Sequence, residues 1–241
     1  SLLTVDDTNV LSQAVLDEEK RTMPDELFRQ EYYCDWSAAN VGSILGRYVE
    51  QAEKEGRISD DVSYDEDGAG IVISSDIGRR HASAWWLWQP RTDGFAVVDY
   101  DEDAGLDADE WCERLKALIG TRKLAFIWMP HDARAKTFAA KHSAIATFIT
   151  HFGVDKVGIV PQSKSKSHSI NAGQVVMRHS HFAKTPCERG LAALRSWAYK
   201  YDYERKKYSR EPLDDWACDG ADAFCEGAKM LQERVIEEPK K

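Results

Sequence analysis

The chain has 241 residues, of which 43% are hydrophobic, 10% aromatic and 30% charged, and its formal net charge is -9. This composition excludes a disordered tail, a collagen-like fibre and a small disulfide-stapled domain. It predicts one large domain, or one domain with an extension. No segment approaches the roughly 18 consecutive apolar residues of a membrane span, so no membrane partner is expected. The five cysteines are scattered without a C-x-x-C pair, which indicates reduced thiols.

The charge is distributed unevenly along the chain. Residues 60–68 and 99–110 together carry twelve acidic residues and no basic one, whereas residues 162–211 carry eleven Lys or Arg against four Asp or Glu. Local charge matters more than the total at physiological salt, because screening weakens distant interactions. The net negative charge therefore does not exclude a nucleic-acid partner.

The first third of the chain is predicted to be helical. Pro and acidic residues at 23–26 are typical of a helix start, and residues 42–55 carry an apolar stripe at helical spacing. The acidic, glycine-containing segment 60–70 is predicted to be a linker or an exposed loop.

Beyond this segment the hydrophobic pattern switches between that of strands and that of helices, as in an α/β domain. The predicted strands cover residues 71–73, 82–89, 95–98, 124–129 and 157–160. The predicted helices cover residues 107–119, 135–152, 187–201 and 219–235. Hairpin-like strands followed by alternating helices and strands predict a mixed central sheet flanked by helices on both faces.

Two aspartates follow buried strands. Asp76 follows the apolar run at 71–73 after two serines, and Asp132 follows the strand at 124–129. A carboxylate at the end of a buried strand is costly unless it is paired or binds a metal ion, and ligands gather at strand ends in open α/β sheets. Each aspartate on its own could equally be a helix cap or a turn residue.

The last predicted helix supplies further carboxylates. Asp219, Asp222 and Glu226 are spaced by three and four residues and therefore share one helical face. Such a face is often simply solvated. Together with Asp76 and Asp132, however, it forms the pattern of oxygen ligands that holds two divalent cations, which can cleave a phosphodiester.

Six short segments give the chain a resemblance to a known family. They are residues 28–32 (FRQEY), 56–58 (GRI), 75–78 (SDIG), 129–133 (MPHDA), 212–216 (PLDDW) and 220–224 (GADAF). In this order they resemble the nuclease region of the large terminases of tailed bacteriophages. The resemblance spans about residues 20–232.

The resemblance implies an RNase H-like fold of the resolvase/integrase type and a metal-dependent endonuclease that cuts concatemeric double-stranded DNA during genome packaging. By position, Asp76, Asp132 and Asp222 would be the catalytic metal ligands, holding two Mg²⁺ or Mn²⁺ ions. Asp219 is a further candidate ligand, because it and Glu226 add carboxylates that the family's last motif lacks.

The family's large subunits also carry an N-terminal ATPase, but the chain contains no G-x-x-x-x-G-K-[ST] phosphate-binding loop. Residues 1–60 are therefore expected to be a helical connection from that motor, and residues 61–241 the nuclease domain. The resemblance further implies the ATPase domain, the small terminase subunit and the portal as partners, and the host cell cytoplasm as location. The isolated domain is expected to be a monomer.

Two basic segments are candidates for DNA binding. Residues 163–169 are predicted to be a mobile loop that offers Lys164 and Lys166 to phosphates. Arg205, Lys206 and Lys207 lie in a second stretch, which is either a DNA-backbone surface or a solvated helix end. His168, His179 and His181 are a weaker alternative metal cluster, because they lack the cysteine or histidine partner of a zinc site.

Two other functions remain open at this point. A junction resolvase has the same fold and chemistry but recognises a branched substrate. A non-catalytic module that binds DNA or docks the motor could also use a degraded nuclease fold. Selectivity for branched DNA would distinguish a resolvase from a packaging endonuclease. An absence of DNA cleavage would identify a non-catalytic module.

Overall fold

The computed structural model describes residues 4–8, 10–22, 25–33, 42–78, 82–135, 142–163 and 165–236. The α-helices are α1 (Val5–Thr8), α2 (Gln13–Thr22), α3 (Asp25–Tyr33), α4 (Gly46–Lys54), α5 (Ala108–Ile119), α6 (Ala144–Phe152), α7 (Lys166–Met177), α8 (Glu188–Ser196) and α9 (Cys218–Ile236). The strands are β1 (Ile58–Ser59), β2 (Ile71–Asp76), β3 (Ser83–Arg91), β4 (Gly94–Asp103), β5 (Leu124–Met129), β6 (Val157–Ile159), β7 (Ser180–Ala183), β8 (Tyr199–Asp202) and β9 (Lys207–Pro212). A short 3₁₀ helix covers His131–Arg134.

Seven strands form one mixed sheet in the order β1-β7-β4-β3-β2-β5-β6. β3 is antiparallel to both β2 and β4, whereas β2, β5 and β6 run parallel to one another. β7 is parallel to β4 and to β1. β8 and β9 form a separate antiparallel hairpin. Because β2, β5 and β6 share one direction, their carboxyl ends lie along the same edge of the sheet.

Helices cover both faces of this sheet. One face packs against α4, α7, α8 and α9, and the other against α5 and α6. The alternation of β3 divides its tryptophans between the two layers: Trp86 and Trp88 face the first, and Trp85 faces the second. The predicted α/β architecture with a central mixed sheet is confirmed, and the arrangement is RNase H-like.

The predicted helix and strand at 107–119 and 124–129 are also confirmed within one residue. Asp107 caps α5 by accepting a hydrogen bond from the backbone N–H of Glu110, and the Glu110 side chain accepts one from the backbone N–H of Asp107. α4 contributes the buried side chains Tyr48 and Val49 to the first core layer. The predicted domain boundary at residue 60 stays a prediction.

Three predictions of local structure are wrong. The loop predicted at 163–169 is interrupted by α7, which begins at Lys166. The helix predicted at 187–201 ends at Ser196, and the chain then enters the β8–β9 hairpin, so the basic segment after it is not a helix end. The helix predicted at 135–152 is helical from Ala144, while residues 136–141 lie outside the described residues. Among the helices described, none has the length and apolar composition needed to cross a lipid bilayer.

Candidate metal centre

Asp76 and Asp132 lie where neighbouring parallel strands end. Asp76 is the last residue of β2, and Asp132 follows β5 in the 3₁₀ helix. Ser74 pairs with Trp128 across the two strands, so both chains leave the sheet at one edge. The Ser75 hydroxyl adds a hydrogen bond of 3.1 Å to the carbonyl oxygen of Trp128. Because β2 and β5 are parallel neighbours, Asp76 and Asp132 lie at the same edge of the sheet.

Asp222 reaches the same edge from α9. This helix packs on the face of β2 and β3 that carries Val72, Trp86 and Trp88. The Trp86 indole donates a hydrogen bond of 2.8 Å to the carbonyl oxygen of Gly220, in the first turn of α9. That bond and the surrounding apolar contacts fix the start of α9, and with it Asp219 and Asp222, relative to the sheet.

The carboxyl groups are close enough to affect each other's ionisation. Burial, together with the charges of Asp222 and Asp219, raises the pKa of Asp76 to about 7. Burial also raises the pKa of Asp222, with Glu226 contributing, although the nearby ammonium of Lys166 opposes the shift. Like charges in a poorly hydrated site favour protonation, because each carboxylate destabilises the ionised form of the next. The site therefore has a deficit of positive charge.

Lys166 supplies part of that charge. Its Nζ lies 2.5 Å from both Oδ1 and Oδ2 of Asp222 and 5.6 Å from the centre of the Trp197 ring. Burial disfavours the ammonium, yet the pKa of Lys166 is raised, because the pairing with Asp222 outweighs the loss of hydration. The sequence predicts a mobile loop at Lys166, and this prediction is wrong because α7 begins there. Its position on the first turn of α7 places it at the carboxylates instead.

Glu226 has partners of its own. Its Oε2 accepts a hydrogen bond of 2.8 Å from Lys229, whose ammonium also donates to the carbonyl oxygen of Pro161 at 3.0 Å. The Ser169 hydroxyl donates to Oε1 of Glu226 at 3.3 Å. Glu226 thus connects α9 to α7 and to the end of β6. Ser169 and Lys229 carry no sequence motif, and only the packing of α7 on α9 reveals their place in this network.

Within the described ranges, no three His, Cys, Asp or Glu side chains lie close enough together, as they stand, to hold a metal ion. Neither the three aspartates nor the histidines at positions 168, 179 and 181 form such a group among these residues. Asp132 is exposed, and Asp222 is bound to the ammonium. The donor set nevertheless fits a hard divalent cation: it consists of carboxylate oxygens, it lacks positive charge, and one member already binds a cationic group.

The predicted DNA-binding residues fall into three positions. Lys164 lies outside the described residues. Lys166 lies in the carboxylate cluster. Arg205 and Lys206 form the turn between β8 and β9, and Lys207 is the first residue of β9. The Lys206 ammonium donates a hydrogen bond of 3.2 Å to the carbonyl oxygen of Arg21 in α2, while Arg205 is 73% exposed.

No protein-family model matches the chain, and no curated protein sequence matches it. Solved structures do match. The large terminase of the thermophilic bacteriophage D6E, in complex with ADP, superposes with a TM-score of 0.60 at 14% identity, over 95% of this chain. The large terminase nuclease domain of bacteriophage SPP1, with bound Mn, superposes with a TM-score of 0.50 at 12% identity, over 70% of this chain and 88% of that domain.

The chain spans 55% of the length of the D6E protein. At 12–14% identity these matches establish the fold. These structural neighbours are phage terminases. The chain that matches them has a mixed sheet with helices on both faces, and it carries carboxylates at the carboxyl edge of β2 and β5. The protein has the RNase H-like fold of the large terminase nuclease domains.

Proposed function

We propose that this chain is a metal-dependent DNA endonuclease that cuts concatemeric double-stranded viral DNA during genome packaging. The observation that carries the proposal is the meeting of Asp76 and Asp222 at the carboxyl edge of β2, where burial raises the pKa of both and the charge of Asp222 adds to the shift of Asp76. Carboxylates held close together in a half-buried site are unfavourable unless a cation neutralises them. The fold shared with the SPP1 nuclease domain, which has bound Mn, supports the same function.

Each carboxylate has a distinct role in this proposal. Asp76, fixed at the end of β2, and Asp222, fixed on α9, form the rigid part of the ligand set for Mg²⁺ or Mn²⁺. Asp132, on the exposed 3₁₀ helix, completes it from the side open to solvent. When bound, two such ions activate water and stabilise the leaving oxygen of the phosphodiester. Asp219 borders Asp76 and is a further candidate ligand.

DNA would reach this edge over basic side chains. The β8–β9 hairpin carries Arg205, Lys206 and Lys207, and Leu213, just after β9, donates a backbone hydrogen bond of 2.8 Å to Ala198. The segment after β9 leads directly into α9 and Asp222. We assign these three residues to contacts with the phosphate backbone, which provide affinity without sequence preference.

The remaining assignments concern the intact protein. We propose that residues 1–60 connect this domain to an ATPase motor, that the small terminase subunit and the portal are partners, and that the protein acts in the cytoplasm of the host cell. The ADP complex of the D6E large terminase, of which this chain matches about half, supports the motor.

The test is cleavage of a supercoiled plasmid with Mg²⁺ or Mn²⁺ against EDTA, by the wild-type chain and by Asp76→Asn and Asp222→Asn. Both variants should lose cleavage and keep their circular dichroism spectra, whereas the control Asp155→Asn, in an exposed turn before β6, should cut normally. DNA binding without cleavage by the wild type would favour a non-catalytic module. Cleavage confined to four-way junctions would favour a resolvase.

A further inference from the structure

Lys166 and Asp222 form a two-point contact inside the carboxylate cluster. The ammonium lies 2.5 Å from each oxygen of the carboxylate, so it occupies both of them. The Asp222 side chain is 23% exposed and that of Lys166 is 44% exposed. The contact therefore sits at the mouth of the site, partly screened from water, where an ion pair is stronger than on an open surface.

The position of Lys166 is built into the fold. α7 packs on α9 without space between them: a Cβ on Gly173 would lie 2.7 Å from Sγ of Cys225. Ile170 and Ala172 are buried in the same layer. The Trp197 ring, which is fully buried, lies beneath the ammonium. Lys166 is thus presented to Asp222 by a rigid helix pair, although 56 residues separate the two in sequence.

The Lys166 ammonium spans both oxygens of the Asp222 carboxylate, which is the position that a bidentate divalent cation would take. The carboxylate has further lone pairs, but two cations held on one half-buried carboxylate repel each other. A divalent cation that binds both oxygens therefore competes with the ammonium for Asp222.

We propose that Lys166 is an internal cation that a divalent ion must displace from Asp222, and that it sets the affinity of the site for metal. This inference rests on the proposed metal-dependent function. Lys166 acts through Asp222, as a positioning residue: it neutralises and orients the carboxylate while the metal is absent, and weakens metal binding by the free energy of the ion pair.

The experiment is a calorimetric titration of the whole chain with Mn²⁺ in the absence of DNA. Lys166→Met removes the charge and keeps most of the side-chain volume. A neighbouring charge changes the proton affinity of a carboxylate by about one to three orders of magnitude, so we expect Mn²⁺ to bind Lys166→Met about tenfold more tightly than wild type, or more. Lys166→Arg keeps the charge and should keep the weak binding.

Lys116→Met is the matched control, since Lys116 pairs with Glu113 on α5, on the other face of the sheet. It should leave the Mn²⁺ affinity unchanged. Equal or weaker Mn²⁺ binding by Lys166→Met would overturn the inference. A wild-type chain that cuts DNA while Lys166→Met binds Mn²⁺ no more tightly would refute this inference alone, whereas a wild-type chain that neither binds Mn²⁺ nor cuts would refute the proposed function.

A crystal of the wild-type chain grown with Mn²⁺ gives a second measurement that requires no variant. The expected result is Mn²⁺ on Asp222 with the Lys166 ammonium beyond hydrogen-bond distance of both carboxylate oxygens. Mn²⁺ bound to Asp222 with the ammonium still in place would contradict displacement.

Discussion

Gly227 of α9 touches Ser74 of β2 so closely that no side chain fits between them: a Cβ at position 227 would lie 2.5 Å from Oγ and 2.6 Å from Cβ of Ser74. The Ser74 hydroxyl is held in turn by the Trp88 indole, which donates to it at 2.9 Å. β2 ends at Asp76 and α9 carries Asp222, so this contact sets the separation of the two candidate ligands.

Gly227→Ala should therefore weaken both the fold and the site. Alanine favours a helix by about 1 kcal/mol over glycine, but the added methyl must push α9 away from β2, which costs about 1–3 kcal/mol. We expect a lower unfolding midpoint in urea, weaker Mn²⁺ binding and slower plasmid cleavage. A more stable variant with intact cleavage would show that α9 can shift without disturbing the carboxylates.

The parts of the fold that follow from local pattern are predictable from the sequence. β2 and β5 are apolar runs bounded by polar residues, and α5 combines a capping box with an apolar stripe. Once β2 and β5 are recognised as parallel neighbours, the position of Asp76 and Asp132 at one edge follows from topology. Their roles as metal ligands remain predictions.

The contacts of α7 are not predictable in this way. Its buried residues mix small with apolar side chains, and its first turn is Ser- and Lys-rich, so the start of the helix has the composition of a polar loop. β8 and β9 are short and half-exposed, with tyrosines among lysines, and give no alternation toward a core. The Lys166–Asp222 pair depends on both the path of α7 and its packing on α9.

The second prediction concerns how the free energy of unfolding depends on pH when no metal is bound. The carboxyl group of Asp76 has a pKa of about 7 in the folded chain, against an ordinary value of 3.8 for aspartate. The folded state therefore binds this proton more tightly than the unfolded state. Protonation of Asp76 therefore adds at most about 4 kcal/mol to the free energy of unfolding. This contribution is complete below about pH 4 and is lost as the pH rises to about 7.

Urea unfolding in EDTA measures the contribution of Asp76 to the free energy of unfolding, by comparing wild type with Asp76→Asn. The variant cannot ionise, so its stability relative to wild type should increase between about pH 4 and about pH 7 and then level off. A stability difference that is the same at both ends of this range would mean that neither burial nor the neighbouring carboxylates disfavour ionisation of Asp76 in the folded chain.

The third prediction separates Asp132 from the other two aspartates. Asp132 is exposed on the 3₁₀ helix, so Asp132→Asn should change the free energy of unfolding by no more than about 0.5 kcal/mol. If Asp132 is a metal ligand, the same variant should lose plasmid cleavage. Normal cleavage by Asp132→Asn would remove this residue from the ligand set and leave Asp219 as the candidate to test.

The fourth prediction assigns Glu226 a structural role. The Lys229 side chain is only 6% exposed, and its ammonium depends on Glu226 and on the Pro161 carbonyl oxygen. Glu226→Ala would leave a buried charge without its counter-ion and should cost about 3 kcal/mol in urea unfolding. The exposed pair Lys116–Glu113 provides the control, with Glu113→Ala costing less than about 1 kcal/mol. Lost cleavage with unchanged stability in Glu226→Ala would instead indicate a metal ligand.

The last prediction concerns the hairpin between β8 and β9. Arg205, Lys206 and Lys207 lie together at its tip, and Lys206 is partly engaged by the Arg21 carbonyl oxygen. Replacing all three with Ala should weaken DNA binding by a similar factor for every duplex sequence, because phosphate contacts carry no base information. The slope of log affinity against log salt should fall in magnitude by about three, since each of the three lost phosphate contacts removes about 0.9.

The matched control replaces Lys123 and Lys156 with Ala. These two residues precede β5 and β6, at the amino ends of the strands and opposite the carboxylate edge. Fluorescence anisotropy with labelled duplexes at several salt concentrations measures both variants. Because charge removed at a distance from bound DNA is screened by salt, the control should keep the wild-type slope. Equal losses in the two variants would mean that the hairpin acts through net charge alone, and an unchanged triple variant would place the DNA elsewhere.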